Sequence, residues 1–352
     1  MDLRKLITEP KPGLWTKVLR IILRLLCLPY WIAARLKNFA YDNRWRKTYR
    51  SPLPTISVGN LSVGGTGKSP VVAWLAKNLR ERELRVAILS RGYGGLADGR
   101  NDEALELELQ LPDVPHLQNP SRAASAVLAA QELEMQVLLL DDAFQHRRIE
   151  RDLDIVLLDA TDPKGAQCVL PRGLYREPMS SLARADLILL TRADQVETQE
   201  LTNLRERVSR WNSTAPILEA AHGAESLLQV GTESQGAEVL QGKKVAAFCG
   251  IGNPTAFFET LEGLGAIVCK RKIWPDHHAY DEKDVQSLEE WIAQEPAAEL
   301  VLCTVKDWVK LQVSQLHGKP LKALRVGLML RTEDQQVMQA VLDQVLPKSA
   351  TQ

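Results

Sequence analysis

The residues best suited to chemistry lie between Val58 and Ser69, where the chain reads Val-Gly-Asn-Leu-Ser-Val-Gly-Gly-Thr-Gly-Lys-Ser. Gly67-Lys68-Ser69 closes a phosphate loop of the G-x-x-x-x-G-K-[ST] type. Glycines let backbone N–H groups turn inward around phosphate oxygens, and the helix that follows adds positive potential at its amino end. Lys68 then reaches the outer phosphates, and the Ser69 hydroxyl is placed to ligate Mg²⁺. The first glycine of the strict pattern falls on Ser62, with Gly64 and Gly65 in compensation. The expected phosphate cradle is therefore Ser62, Val63, Gly64, Gly65, Thr66, Gly67, Lys68 and Ser69. A second candidate is Asp141-Asp142, which ends the apolar run 137–140. A carboxylate in that position holds Mg²⁺ directly or through water.

Such loops need strand ends gathered on one side of a sheet. Residues 55–58 form a short β-branched run after two prolines, and 70–83 carry helical periodicity. Residues 86–89, 137–140, 155–158 and 187–190 read as further buried strands separated by helical or loop stretches. This alternation predicts an α/β fold, a P-loop NTPase-like doubly wound parallel sheet with its site at the carboxyl ends of the strands. The second half repeats the pattern, with strands expected at 245–249, 300–304 and 324–328. A helix at 254–264 is opened by proline. The polar stretch 231–242 reads as a linker. The expected organisation is a basic segment over 1–50, a P-loop kinase-type domain over 51–230, and a smaller α/β lobe over 231–352. Ligands favour the cleft of such a two-lobed arrangement.

The 352 residues carry 44 Lys+Arg and 44 Asp+Glu, so no global field marks a nucleic-acid binder. The balance hides an asymmetry. Residues 1–50 hold twelve basic and three acidic side chains, a net +9, which leaves −9 on the remainder. Residues 14–39 are rich in Leu, Ile, Trp and Tyr, but their longest uncharged run is ten residues. A spanning helix needs about 20. Lys17, Arg20 and Arg24 share one helical side, and Leu19, Ile22, Leu23 and Leu26 can occupy the other. With Trp15, Tyr30 and Trp31, this pattern fits an amphipathic helix in the interface of an anionic membrane, or one packed on its own domain. Cys27, Cys168, Cys249, Cys269 and Cys303 are widely spaced and form no C-x-x-C pair. That pattern points to reduced thiols rather than a disulfide framework or a zinc site.

A phosphate loop does not say what is done with the nucleotide. One reading is a P-loop GTPase or nucleotide-dependent switch, because Thr191-Arg192-Ala193-Asp194 is similar to an [NT]-K-x-D guanine reader. Against it, Asp141-Asp142 is followed by Ala-Phe-Gln-His, where a GTPase would place D-x-x-G. The alternative is a kinase acting on a small or lipid-linked hydroxyl. Further motifs favour the kinase: Ser90-Arg91-Gly92-Tyr93-Gly94-Gly95, Asp141-Asp142-Ala143-Phe144-Gln145-His146 and Leu170-Pro171-Arg172-Gly173-Leu174-Tyr175-Arg176-Glu177-Pro178. Phe248-Cys249-Gly250-Ile251-Gly252-Asn253-Pro254, Asp276-His277-His278 and Thr304-Val305-Lys306-Asp307 follow in order. Together they closely resemble the tetraacyldisaccharide 4'-kinase family of lipid A biosynthesis, from about residue 14 to about residue 330.

The resemblance implies an ATP- and Mg²⁺-dependent kinase at the cytoplasmic face of a bacterial inner membrane, bound peripherally. Its acceptor would be the 4'-hydroxyl of an acylated glucosamine disaccharide 1-phosphate, giving lipid IV A. No protein partner is implied. Four acyl chains stay in the bilayer, so the enzyme must come to them, which favours the membrane reading of the amino-terminal helix. The family's Gly-Asp-Glu-Pro stretch appears as Asn101-Asp102-Glu103-Ala104, and its Thr-Glu-Lys-Asp as Thr304-Val305-Lys306-Asp307. The glycine usual after the Asp pair is Ala143. By the same resemblance, Asp102 works with His277 to take the hydroxyl proton, and lobe closure was the expected means of bringing them together. Asp142 is the next candidate base. Lys68 and Arg172 neutralise the transferring group, with Arg176 and Arg122 as further candidates, and Glu103 joins Ser69 and Asp141 around the metal. His146 is either functional or structural, and His278 is expected to be structural or exposed.

Overall fold

The computed structural model describes residues 13–63, 65–92, 102–162, 168–229, 235–276, 278–311 and 313–347; of Asp102 and Glu103 it describes the backbone alone. The chain divides into two compact units. The first comprises Met1–Arg91, Asp113–Ala221 and Met329–Gln352; the second comprises Gly92–Pro112 and His222–Leu328.

In the first unit the phosphate-loop strand β1 (Thr55–Asn60) is buried along its whole length. So are β2 (Val86–Ser90), β4 (Val137–Asp141), β5 (Leu153–Asp159) and β6 (Leu187–Thr191). Continuous apolar runs, rather than alternating ones, are what a parallel sheet covered on both faces requires. With β3 (His116–Gln118) and the first part of β7 (Ile217–Leu228), the strands run in the order β3-β2-β4-β1-β5-β6-β7, all parallel. Helices α2 (Lys68–Glu81), α4 (Arg122–Gln131), α5 (Thr198–Ser209) and α9 (Thr332–Val345) accompany them. One core cluster contains Leu61, Phe144, Val156, Ile188 and Leu204, and another contains Ala87, Leu89, Ala126, Leu138 and Ile149.

The amino-terminal helix α1 (Leu14–Asp42) belongs to the same unit. Its half-buried residues include Leu19, Leu23, Cys27, Tyr30, Ala34 and Lys37, which recur every three or four positions and lead to buried Tyr41. Leu19 and Leu23 are thus on the protein side as expected of one face, whereas Ile22 and Leu26 are exposed.

The second unit orders its strands β12 (Lys319–Leu330), β10 (Leu300–Thr304), β8 (Lys244–Cys249) and β9 (Ile267–Ile273), again parallel. Its helices are α3 (Asp102–Gln110), α6 (Pro254–Gly263), α7 (Glu282–Ala293) and α8 (Val305–Leu311), and α3 packs on α8. Pro254 opens α6 behind the Asn253 cap, as its position predicted. A short strand β11 (Gln315–Leu316) pairs antiparallel with β12. Ala237 and Leu240, inside the stretch expected to be a linker, are buried in this unit's core. The helix that Asp102 opens belongs to the second unit, and His277 lies outside the described residues.

β1 and the turn after β4 approach so closely that Gly59 has no room for a side chain. A Cβ there would lie 2.6 Å from Phe144 Cβ and 2.7 Å from its backbone nitrogen. We therefore expect Gly59→Ala to destabilise the protein by about 2 kcal/mol or more, the cost of overpacking against backbone. A thermal melt showing an unchanged Tm would contradict this.

Candidate active site

Parallel pairing sets Val58 opposite Asp141, so the phosphate loop and the aspartate pair emerge at the same end of the sheet. Gly67 takes φ +82°, the left-handed region open to glycine, and turns the chain into α2 at Lys68. The loop's carbonyls are held from behind. Thr191 Oγ1 donates to Thr66 O at 3.0 Å, and Arg192 Nη2 donates to Gly65 O at 2.9 Å. Asn60 Nδ2 donates to Thr66 Oγ1 at 2.8 Å. Arg192 is also ion-paired with buried Asp159. The segment that is similar to a guanine reader thus holds the phosphate loop instead.

The turn after β4 carries the charge cluster. Asp142, at φ +48°, faces Lys68 Nζ at 3.6 Å and Arg176 Nη1 at 2.8 and 3.0 Å. Burial pushes the Asp142 carboxyl up, but Lys68 and then Arg176 outweigh it and hold the group below its ordinary value. Arg122, itself buried, donates through Nη2 to the carbonyls of Asp141 (2.6 Å) and Asp142 (3.1 Å). It fixes the aspartate backbone. Arg176 arrives there because residues after β1 pair with 174–176: Val63 N donates to Leu174 O at 2.7 Å and Arg176 N to Leu61 O at 2.6 Å. Ser62 bridges Tyr175 in the same pairing. Arg172 precedes this stretch, and its Nη1 is buried without a hydrogen-bond partner among the described residues, which suits it to an anion.

Ser69 and Asp141 are buried oxygen donors at the two expected positions. Among the described residues no cluster of three metal-ligating side chains occurs. A sparse oxygen set is what Mg²⁺ takes when waters and phosphates complete its shell, so these residues fit that ion. Gly64, His277 and the side chains of Asp102 and Glu103 lie outside the described residues. The backbone of Asp102 opens α3.

Two motifs of the second unit and Tyr280 meet at one carboxylate. Asp307, fully buried, accepts from Gly250 N at 3.0 and 3.1 Å, Tyr280 Oη at 2.9 Å and Thr304 Oγ1 at 2.6 Å. His278 stacks on Trp274 with centroids 4.4 Å apart, and its Nε2 lies 2.9 Å from Asp284 Oδ2. His278 is therefore structural. Burial and then the Asp307 charge push the Cys249 thiol up to about 12, which makes it inert at neutral pH.

Sequence reasoning gave no role to Gln145, whose Nε2 donates to Asn60 O at 2.8 Å, or to Asp159. Gln145 stood in a quoted motif, and Asp159 ends a recognised apolar run, so both carried a signal that only geometry could interpret.

The sheet order, the glycine turn from the phosphate loop into α2 and the Lys68–Asp142–Arg176 cluster define a P-loop nucleotide-binding protein. The family model for tetraacyldisaccharide-1-P 4'-kinase matches residues 19–347. The chain belongs to this family. A tetraacyldisaccharide 4'-kinase of Anaeromyxobacter dehalogenans (strain 2CP-C) is 39% identical over 334 residues, covering 89% of this chain and 87% of that protein. One from Geobacter sulfurreducens is 34% identical, covering 97% and 98%. The crystal structure of the "apo" form of LpxK from Aquifex aeolicus in complex with ATP superposes with a TM-score of 0.76 at 30% identity. That match covers 94% of this chain and all of the other.

His146 follows the cluster. Burial, then the charges of Arg122, Arg151 and Arg148, lower its pKa from 6.5 to about 4. The unfolded chain takes up this proton first, so stability falls as pH drops from about 6.5 towards 4. In a histidine NMR titration His146 should stay neutral down to pH 5; a midpoint near 6.5 would refute the placement.

Proposed function

We propose that this protein transfers the γ-phosphoryl group of ATP to the 4'-hydroxyl of a tetraacylated glucosamine disaccharide 1-phosphate, forming lipid IV A. The observation that carries this reading is the Lys68–Asp142–Arg176 cluster at the end of β1 and β4, in a chain whose family is named for that reaction. Phosphoryl transfer through a loose transition state asks the protein to align the reactants and neutralise charge. Lys68 and Arg172 would meet the transferring oxygens, while Arg176 holds Asp142 in register with Lys68. Ser69 and Asp141 would hold Mg²⁺, with Glu103 as a third donor; once bound, the ion supplies charge neutralisation across the phosphates. Asp142 is a poor proton acceptor because two cations stabilise its charged form. That supports leaving the base to Asp102 with His277.

The decisive measurement is transfer of label from γ-labelled ATP to the disaccharide lipid in detergent micelles. Lys68→Ala should lower it roughly 10²–10³-fold, the scale for removing one transition-state charge partner. Asp102→Ala and His277→Ala should each lower kcat more than they raise KM for ATP, with less-than-additive losses together. Equal or better turnover with GTP would favour the nucleotide-switch reading.

We further propose that α1 lies in the interface of the inner membrane at its cytoplasmic face. No helix among the described residues is long and apolar enough to cross a membrane. Eleven of the twenty-one exposed large hydrophobic residues sit on α1, including Trp15 at 86% exposure and Leu25 at 70%. That concentration exceeds the scatter of a monomer surface and supports an apolar partner. Leu25→Glu with Leu36→Glu should lower partition onto phosphatidylglycerol-containing vesicles at least tenfold. Added salt should weaken binding of the parent protein; indifference to both changes would remove the membrane from this reading.

A further inference from the structure

The docked face of α1 does not merely rest on the first unit. Tyr30 Oη donates to the main-chain carbonyl of Arg176 at 3.0 Å, and Lys37 Nζ donates to the carbonyl of Gln145 at 3.0 Å. One turn is shared with Asn38, whose Nδ2 donates to Glu177 Oε2 at 3.0 Å. Arg176 and Gln145 both brace the aspartate turn through their side chains, Gln145 linking it to the end of β1. Arg176 Nη1 holds both oxygens of Asp142 and approaches Gln145 Oε1 at 3.4 Å. Gln145 in turn holds Asn60, which holds Thr66. Each of the two residues is therefore gripped at its backbone by the helix and at its side chain by the site.

We propose that Tyr30 and Lys37 are positioning residues for phosphoryl transfer, so that the seating of α1 sets where Arg176 and Gln145 present Asp142 to Lys68. This rests on the kinase reading. A hydrogen bond to a main-chain carbonyl fixes the backbone from which a side chain reaches, and a displacement of about 1 Å at a reacting group can cost about 10²-fold in rate. Burial, then the charge of Glu177, raise the Tyr30 pKa, so the phenol keeps the proton it donates. The exposed large apolar residues of α1, from Leu14 to Phe39, are side chains other than Tyr30 and Lys37. Membrane contact and site geometry thus depend on different side chains of one rigid element, and can be separated by substitution.

The test uses the full-length protein with Lys37→Met and Tyr30→Phe, each of which deletes one bond and keeps most of the bulk. Three quantities are read: lipid phosphorylation in mixed micelles, KM for ATP, and partition onto vesicles of phosphatidylethanolamine and phosphatidylglycerol. Each variant should lower kcat at least fivefold while KM for ATP and vesicle partition stay within twofold. Lys37→Arg, which keeps a donor, should recover most of the loss. In an Asp142→Asn background the additional loss should shrink below twofold. A parental kcat in both variants overturns the proposal, as does an equal fold-loss with and without Asp142, which would mark the bonds as supports of the fold alone. Asp142→Asn with parental kcat would remove Asp142 from the transfer step and the proposal with it. A parent protein that phosphorylates no disaccharide lipid would instead refute the kinase reading.

Discussion

The Asp142 carboxylate divides its oxygens between a lysine from the start of α2 and an arginine from a loop more than thirty positions on, and much of the first unit serves that arrangement. Lys68 is there because β1 and β4 are parallel neighbours in a register that levels Val58 with Asp141. Arg176 is there because residues after β1 and residues 174–176 share backbone bonds. The pair of cations gives a partly buried charge the compensation it needs. It also holds Lys68 beside the aspartate turn.

Holding a phosphate loop open has a cost on the other side of the peptide plane. If N–H groups point inward, carbonyls point away, and buried carbonyls need donors. Thr191 and Arg192 supply them to Thr66 and Gly65, and Asp159 holds the Arg192 guanidinium in turn. This explains why a sequence similar to a guanine reader can sit at the end of β6 without reading a base. Two of its side chains, Thr191 and Arg192, are already engaged.

The elements legible in the sequence were those with one dominant physical signal. The apolar runs of β1, β2, β4, β5 and β6 announced a parallel sheet, and Pro254 announced α6. Edge strand β9 was missed because Lys270, Arg271 and Lys272 interrupt any alternation, and neither face of an edge strand needs to be apolar. β7 was missed because Ala, Glu, His and Gly dilute its middle. In the site, the phosphate loop and the aspartate pair were legible because both are contiguous. Asp307 was named only as the end of a motif; beside that motif's own Thr304 its role depends on Gly250 and Tyr280, which no spacing rule connects to it.

The zero net charge of the chain has a different meaning once α1 is seen to be attached. Residues 1–50 carry +9 and the remainder −9, so the charge is unevenly distributed along the chain. Near an anionic surface, within a screening length of about 8 Å at physiological salt, the basic segment is drawn in and the acidic remainder pushed away. On the membrane reading, the basic segment favours orientations in which α1 meets the lipid, where its exposed apolar residues would leave water. On the membrane reading, electrostatics therefore chooses the face and the hydrophobic effect supplies the hold. On that same reading, the bonds by which Tyr30 and Lys37 fasten α1 to the backbone beside Asp142 would carry the helix's orientation at the bilayer to the residues proposed for phosphoryl transfer.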